Sequence, residues 1–175
     1  MTDLVIPADQ LGQQVLEDVF ISMPPTKRGI AIGIANETPY KWSGMSPYFR
    51  SGKPGSNMIP EFVKSKEAAL PDTKPTGEAR ENVGVLTFFI PRDNKTVAVM
   101  FSVPFDRNLF ENWWDAKVYP GKKEADYDMW SYMYYNYNPF KGDDGWHEKP
   151  ISEGYSVKGI MTSAGQCKLQ VKIWK

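Results

Sequence analysis

The sequence is almost without cysteine and histidine, has no surplus of either charge, and has no apolar run of membrane-spanning length. A lone cysteine, Cys167, excludes a disulfide framework and a cysteine-built zinc site. A lone histidine, His147, removes His-rich metal chemistry. Lys plus Arg number 21 and Asp plus Glu number 21, so the chain lacks the basic field with which a protein holds nucleic acid. The longest apolar run, Val83 to Ile90, is broken by Gly84 and Thr87. It falls far short of the roughly 20 residues of a membrane helix. Met1 to Ile6 carries an acid where a signal peptide carries bases, so the expectation is a mature form or a chain outside the secretory route.

Signatures of catalysis are missing too. No nucleophile motif, phosphate-binding glycine loop or internal repeat is visible. His147 is expected in a polar loop and Cys167 at the start of a terminal strand, with nothing to make them a catalytic pair. The acids Asp126 and Asp128, and Asp143 and Asp144, lie beside no apolar desolvating run and read as structural. Asp143 to Gly145 is too short for a calcium loop. The reading is a non-enzyme with no metal and no cofactor.

What is there is the makeup of one compact globular domain: 175 residues, 41% hydrophobic, 24% charged. The unusual feature is aromatic content, 14% overall, with half of the 24 rings between Phe105 and Phe140. They alternate with charges and glycines rather than forming apolar runs. Clustered Trp and Tyr suit a membrane–water interface, a choline-type or carbohydrate site, or equally a Tyr-rich β core.

Two helices and a set of strands are legible. Rotated at 100° per residue, Leu11, Val15, Leu16, Val19 and Phe20 share one half of a helical wheel, opposite Gln10, Gln13, Gln14, Glu17 and Asp18; Gly12 and Ile21 do not fit. Pro24 and Pro25 end that segment. It reads as a surface helix docked on the core or as a detachable amphipathic one. Strands are expected at Ile30 to Ile34, Tyr40 to Arg50, Ile59 to Leu70, Trp113 to Tyr119 and Lys168 to Trp174. Val83–Ile90 and Thr96–Phe105 should form a hairpin about the turn at Arg92 to Lys95. With 14 Gly and 14 Pro in the loops, the fold class is mainly β, a sandwich.

A second helix is expected over about 124–136. Ala125, Met129, Tyr132 and Met133 can face a sheet, and Tyr127, Trp130, Tyr134 and Tyr137 form another stripe that asks for a different partner. Beyond it, Lys141, Gly142 and Asp143 make a basic-Gly-acid turn.

These runs, taken together, resemble the actinoporins, the pore-forming toxins of sea anemones. The matching stretches are KRGIAIGI at 27–34, Tyr48 to Gly52, Val83 to Leu86, Ala98 to Pro104 and Asn112 to Trp114. They continue through Ala125-Asp126, Tyr134 to Asn136, Pro139-Phe140, and Gly142-Asp143 with Gly145 to His147. The likeness is expected to run from Lys27 to about His147, more weakly to Trp174, and poorly over the first 26 residues. Phe110 and Trp130 stand where the family usually has tyrosines, Leu109 replaces a membrane-probing tryptophan, and Lys141 to Asp143 stands in for Arg-Gly-Asp.

The resemblance implies one domain over 1–175: a β-sandwich flanked by two α-helices. Residues 1–26 would be a detachable pore-forming segment, and 27–175 the sandwich with its membrane-binding helix. It implies a phosphocholine headgroup site, with sphingomyelin preferred, at Arg50, Ser51, Val83, Ser102, Pro104, Phe110, Trp130, Tyr134 and Tyr135. Leu109 and Trp113 would meet the membrane interface, and Leu11, Val15, Leu16, Glu17, Asp18, Val19 and Phe20 would belong to the pore-lining helix. The expected protein is a secreted cytolysin, a monomer in solution, that acts on a target cell membrane and forms a cation-preferring homo-oligomeric pore there. The alternative is a lectin-like binding module, since fungal fruit-body lectins share a similar sandwich without making pores. The amphipathic N-terminal segment, which a lectin does not need, separates the two.

Overall fold

The computed structural model describes residues 5–22, 29–55, 59–74, 76, 81–104, 106 and 110–175. Two sheets face each other across one apolar core, and a helix covers the outer face of each. One sheet runs Val5–Pro7, Glu67–Ala69, Ile30–Glu37, Cys167–Trp174, Ser156–Met161, Trp146–Pro150, with Asp72–Lys74 and Lys53–Pro54 beside it. The other runs Phe140–Lys141, Trp113–Pro120, Lys95–Val103, Asn82–Ile90, Trp42–Gly44, Phe62–Val63, with Tyr48–Ser51 also on Asn82–Ile90. Ile30–Glu37 and Cys167–Trp174 pair in parallel, so early and late chain close the first sheet together.

Strand alternation builds the layers. Ile30, Ile32 and Ile34 point into the intersheet core with Leu86, Phe88, Val97, Val99 and Trp114. The residues between them are small: Ala31 lies under the first helix, and a side chain at Gly33 would collide with Leu11. The first helix, α1 (Gln13–Ser22), settles into that shallow face. Leu16 and Val19 are fully covered there, with Leu11, Val15 and Phe20 packed alongside. The wheel's misfit Ile21 is 76% exposed. Gln13 Nε2 reaches Gln170 Oε1 at 3.2 Å, and Lys168 holds Glu17 at 2.9 Å.

The second helix, α2 (Tyr127–Tyr135), lies on the outer face of the other sheet. Asp126 caps it by accepting the Met129 N–H at 2.8 Å. Met129, Trp130 and Met133 pack onto Val83, Val85, Ala98 and Met100. This corrects the expected stripes: Trp130 belongs to the packing face, only 2% exposed, and Tyr132 faces outward. A helix lying on a flat sheet buries an arc wide enough for i, i+1 and i+4, which takes in Trp130 next to Met129.

The hairpin, the Trp113 strand and the terminal strand lie where the sequence predicts. Tyr40 to Arg50 is instead two strands, both on Asn82–Ile90, separated where the Met45 N–H turns to Thr87 O at 3.1 Å. Ile59 to Leu70 is also two, Phe62–Val63 in one sheet and Glu67–Ala69 in the other, so this segment changes sheets. The Trp146–Pro150 and Ser156–Met161 hairpin escapes a hydrophobic-run reading because its first strand is charged and alternates exposed with half-buried. His147 therefore sits on a strand, not in a loop. Upstream of α1, Val5–Pro7 pairs with Glu67–Ala69 and Ala8–Gln10 makes a 3₁₀ turn, so helix begins only at Gln13. Among the described residues no helix is long and apolar enough to cross a membrane.

Candidate functional site

The outer face of the second sheet carries a row of paired residues: Ser51 opposite Val83, Val83 opposite Ser102, Ser102 opposite Trp113. A β-bulge between Phe49 and Ser51 leaves Arg50 outside the regular ladder. Bulges re-aim side chains in this way. Helix α2 crosses above the row, bringing Trp130, Tyr134 and Tyr135 down beside it.

These elements enclose a pocket of about 180 Å³ lined by Arg50, Glu81, Val83, Ser102, Pro104, Phe110, Trp130, Tyr134 and Tyr135. Eight of the nine residues expected at a headgroup site are therefore brought together. Ser51 is not in the lining; it sits across the ladder from Val83. Glu81, which the sequence reading passes over, is in the lining. Its only signal was its place two residues before Val83. Trp113, half-buried, ends the same row just outside the pocket, and Leu109 lies outside the described residues.

The rings are packed on one another. Trp130 stacks on Tyr134 at 5.1 Å between centroids and meets Tyr135 edge-on at 5.9 Å, while Tyr134 and Tyr135 are edge-to-face at 4.9 Å. The Arg50 guanidinium lies 4.8 Å over the Trp130 ring, a cation–π contact that fixes its charge at the pocket wall. Burial, then Tyr135 beside it, pushes the Tyr134 phenol above its ordinary pKa, so it remains an O–H donor at neutral pH. Phe110 and Tyr135 form the open side, 57% and 65% exposed. The arrangement offers a guanidinium, a carboxylate, two phenols and a wall of π faces. It can hold a zwitterion with an anionic and a bulky cationic end.

The other expected residues lie elsewhere. The charges of Lys141 and Asp143 meet neighbours in the same chain: Glu111 at 3.4 Å and His147 Nε2 at 2.9 Å. Gly142 between them is pressed so closely that a side chain there would stand 2.7 Å from Asn112 Cβ. The motif is thus a folded turn, with His147 stacked on Phe140 behind it. Cys167 is buried in the intersheet core, its thiol facing Thr162 O at 3.5 Å. Leu11 to Phe20 lie under or on α1, on the far face of the sandwich from the pocket.

A family profile described as "Sea anemone cytotoxic protein" matches residues 1–175. That span corrects the expected limits of the likeness, because it includes the first 26 residues and the last strand. The chain is 44% identical over 177 residues to DELTA-stichotoxin-Hcr4a of Radianthus crispa, covering 97% of this chain and 96% of that protein. It is 40% identical over 173 residues to Nigrelysin of Anthopleura nigrescens, covering 98% and 80%. To deep sea actinoporin Cjtox II of Cribrinopsis japonica it is 41% identical over 171 residues, covering 97% and 76%. Among solved structures, the lipid binding protein Nakanori superposes with a TM-score of 0.74 at 10% identity, over 92% of this chain and 77% of that one. At that identity the likeness is one of fold.

Proposed function

The chain belongs to the sea anemone cytotoxic proteins, the actinoporin family of non-enzymatic pore-forming cytolysins, and on that premise we propose how it engages and opens a membrane. It is a secreted toxin that docks on phosphocholine lipids, sphingomyelin foremost, through the pocket under α2. It then assembles with copies of itself, and residues 1–22 leave the sandwich to line a cation-preferring pore.

The observation that carries this reading is the pocket's chemistry: Arg50 and Glu81 in one cavity with Phe110, Trp130, Tyr134 and Tyr135. A phosphocholine is a phosphate joined to a quaternary ammonium. Arg50 answers the first, and ring faces with a carboxylate answer the second. With Phe110 and Trp130 in place of tyrosines, the hydroxyls left to the phosphate are those of Ser102, Tyr134 and Tyr135. A sugar would need a denser set of donors and acceptors than these walls supply.

Vesicle binding in the presence of soluble phosphocholine tests the proposal. Phosphocholine should displace the protein, and dye should leak faster from liposomes that contain sphingomyelin than from those without it. Competition by a simple sugar but not by phosphocholine would instead favour the lectin-like alternative.

A further inference from the structure

Helix α2 has two flanks, and only one closes the pocket. On the other, the Trp113–Pro120 strand runs beneath the helix with Asp115, Lys117 and Tyr119 on its outer face. There Lys117, Tyr119, Lys123, Asp128, Met129 and Tyr132 line an open cleft of about 460 Å³. Lys117 Nζ lies 4.3 Å from the Tyr119 ring centroid, 5.1 Å from that of Tyr137 and 6.0 Å from that of Tyr132; Lys123 Nζ lies 5.1 Å from that of Tyr119.

Neither ammonium forms a salt bridge among the described residues. The nearby acids are engaged elsewhere: Asp115 with Lys149 at 2.7 Å, Glu153 with Lys95 at 3.5 Å, and Asp126 with the helix N-terminus. Asp128 is the one acid in the lining, against two cations. Burial pulls Lys117 below the ordinary lysine pKa and the Lys123 charge adds to this, although the charges of Glu153 and Asp115 pull the other way.

We propose that this cleft is a second headgroup site, one that takes the phosphate of an anionic phospholipid. Two ammonium groups and the Tyr132 hydroxyl can donate to phosphate oxygens. Two lysine cations face one carboxylate here, so a quaternary ammonium is repelled, whereas the first pocket sets one guanidinium against one carboxylate and accepts it. The pocket on one flank of the helix therefore takes both ends of a zwitterion, and the cleft on the other takes the phosphate alone. The proposal rests on the reading that α2 faces the membrane, for which its exposed rings Tyr127, Tyr132 and Tyr135 argue. A phosphate reached here would lie at the level of the headgroups.

The test compares vesicles of phosphatidylcholine alone with vesicles that also contain phosphatidic acid, at low salt. The protein should bind the mixed vesicles roughly tenfold or more tighter, given about 1 kcal/mol for each lysine near an anionic surface, and salt should erode the gain. Lys117→Gln with Lys123→Gln should abolish the gain and leave binding to phosphatidylcholine unchanged. Lys123→Gln alone, at an exposed position, should lose part of it. Competition of the gain by inorganic phosphate supports the same chemistry. A gain that is absent, or that survives in the double variant, overturns the proposal, as does binding of a sulfated saccharide with no response to phosphatidic acid. Arg50→Gln separates the two sites. Unchanged phosphatidylcholine binding in that variant, beside a lysine-dependent gain, would remove the pocket reading and leave this one standing.

Discussion

At the scale of the residue, Trp130 and Tyr135 line one pocket but are placed to do different work. Trp130 is buried on Met129, Met133 and the sheet, and its indole N–H finds no acceptor among the described residues. Its weight lies in packing. Trp130→Ala should destabilise the fold by about 3–5 kcal/mol, lowering the thermal midpoint visibly in calorimetry, so lost vesicle binding in that variant reports unfolding as well as recognition. Tyr135→Ala removes a mostly exposed ring. It should change stability by no more than about 0.5 kcal/mol, as surface changes do, yet weaken both vesicle binding and its competition by phosphocholine. A Tyr135→Ala protein that melts early and binds normally would assign this ring to the core.

At the scale of the element, α1 as folded is too short for the task proposed for it. Ten residues make about 15 Å of helix, against roughly 30 Å of hydrocarbon. Residues 2–22 as one helix reach about 31 Å, which requires Val5–Pro7 to leave Glu67–Ala69 and join the helix. Docking holds the segment back through Leu16, Val19, Leu11 against Gly33, and the Glu17–Lys168 bridge. That bridge is partly exposed, and such pairs contribute about 0–1 kcal/mol, so Glu17 is free to serve elsewhere after release. Glu17→Gln with Asp18→Asn should move the reversal potential in a salt gradient towards zero while pores still form. Full cation preference in the double variant would take these carboxylates out of the lumen. Lysis that survives deletion of residues 1–22 would end the insertion mechanism itself.

At the scale of the whole molecule, the exit of α2 is tied to both sheets by one lysine. Lys149, on the Trp146–Pro150 strand, reaches Asp115 in the opposite sheet at 2.7 Å and donates to Tyr137 O at 2.9 Å and Asn138 O at 3.1 Å. Burial raises Asp115 to about 6, although the Lys149 hydrogen bond and charge pull the other way. The folded state thus binds this proton more tightly than the unfolded chain, whose aspartates titrate near 3.9. Its contribution to stability is complete below about pH 4 and is lost as pH rises through about 6. Asp93 has the opposite sign. The Tyr155 hydrogen bond, then Lys175, lowers its pKa, so its contribution disappears only in stronger acid. Between pH 4 and 6, the thermal midpoint of the wild type relative to Asp115→Asn should therefore fall as pH rises. Parallel curves for the two proteins would show that Asp115 does not titrate in that window.

The sequence by itself determined the sandwich class, the central hairpin and the apolar face of α1, and its resemblance to the family implied most of the pocket's membership. Those features depend on local periodicity, turn chemistry and collinear motifs, each complete within a short stretch of chain. The tertiary structure alone decided which ring of α2 is core, because burial depends on the sheet below and not on the helix's own composition. It also decided that Glu81 enters the pocket, and that Ser51 does not but sits opposite Val83 past a bulge at Arg50 that no local pattern encodes. The charged Trp146–Pro150 strand was likewise hidden because it carries no hydrophobic run, and the split of Ile59 to Leu70 because its two halves pair with strands of different sheets. Charge balance read from composition is zero. Only packing shows that Lys117 and Lys123 stand together beside α2, with no salt-bridge partner among the described residues.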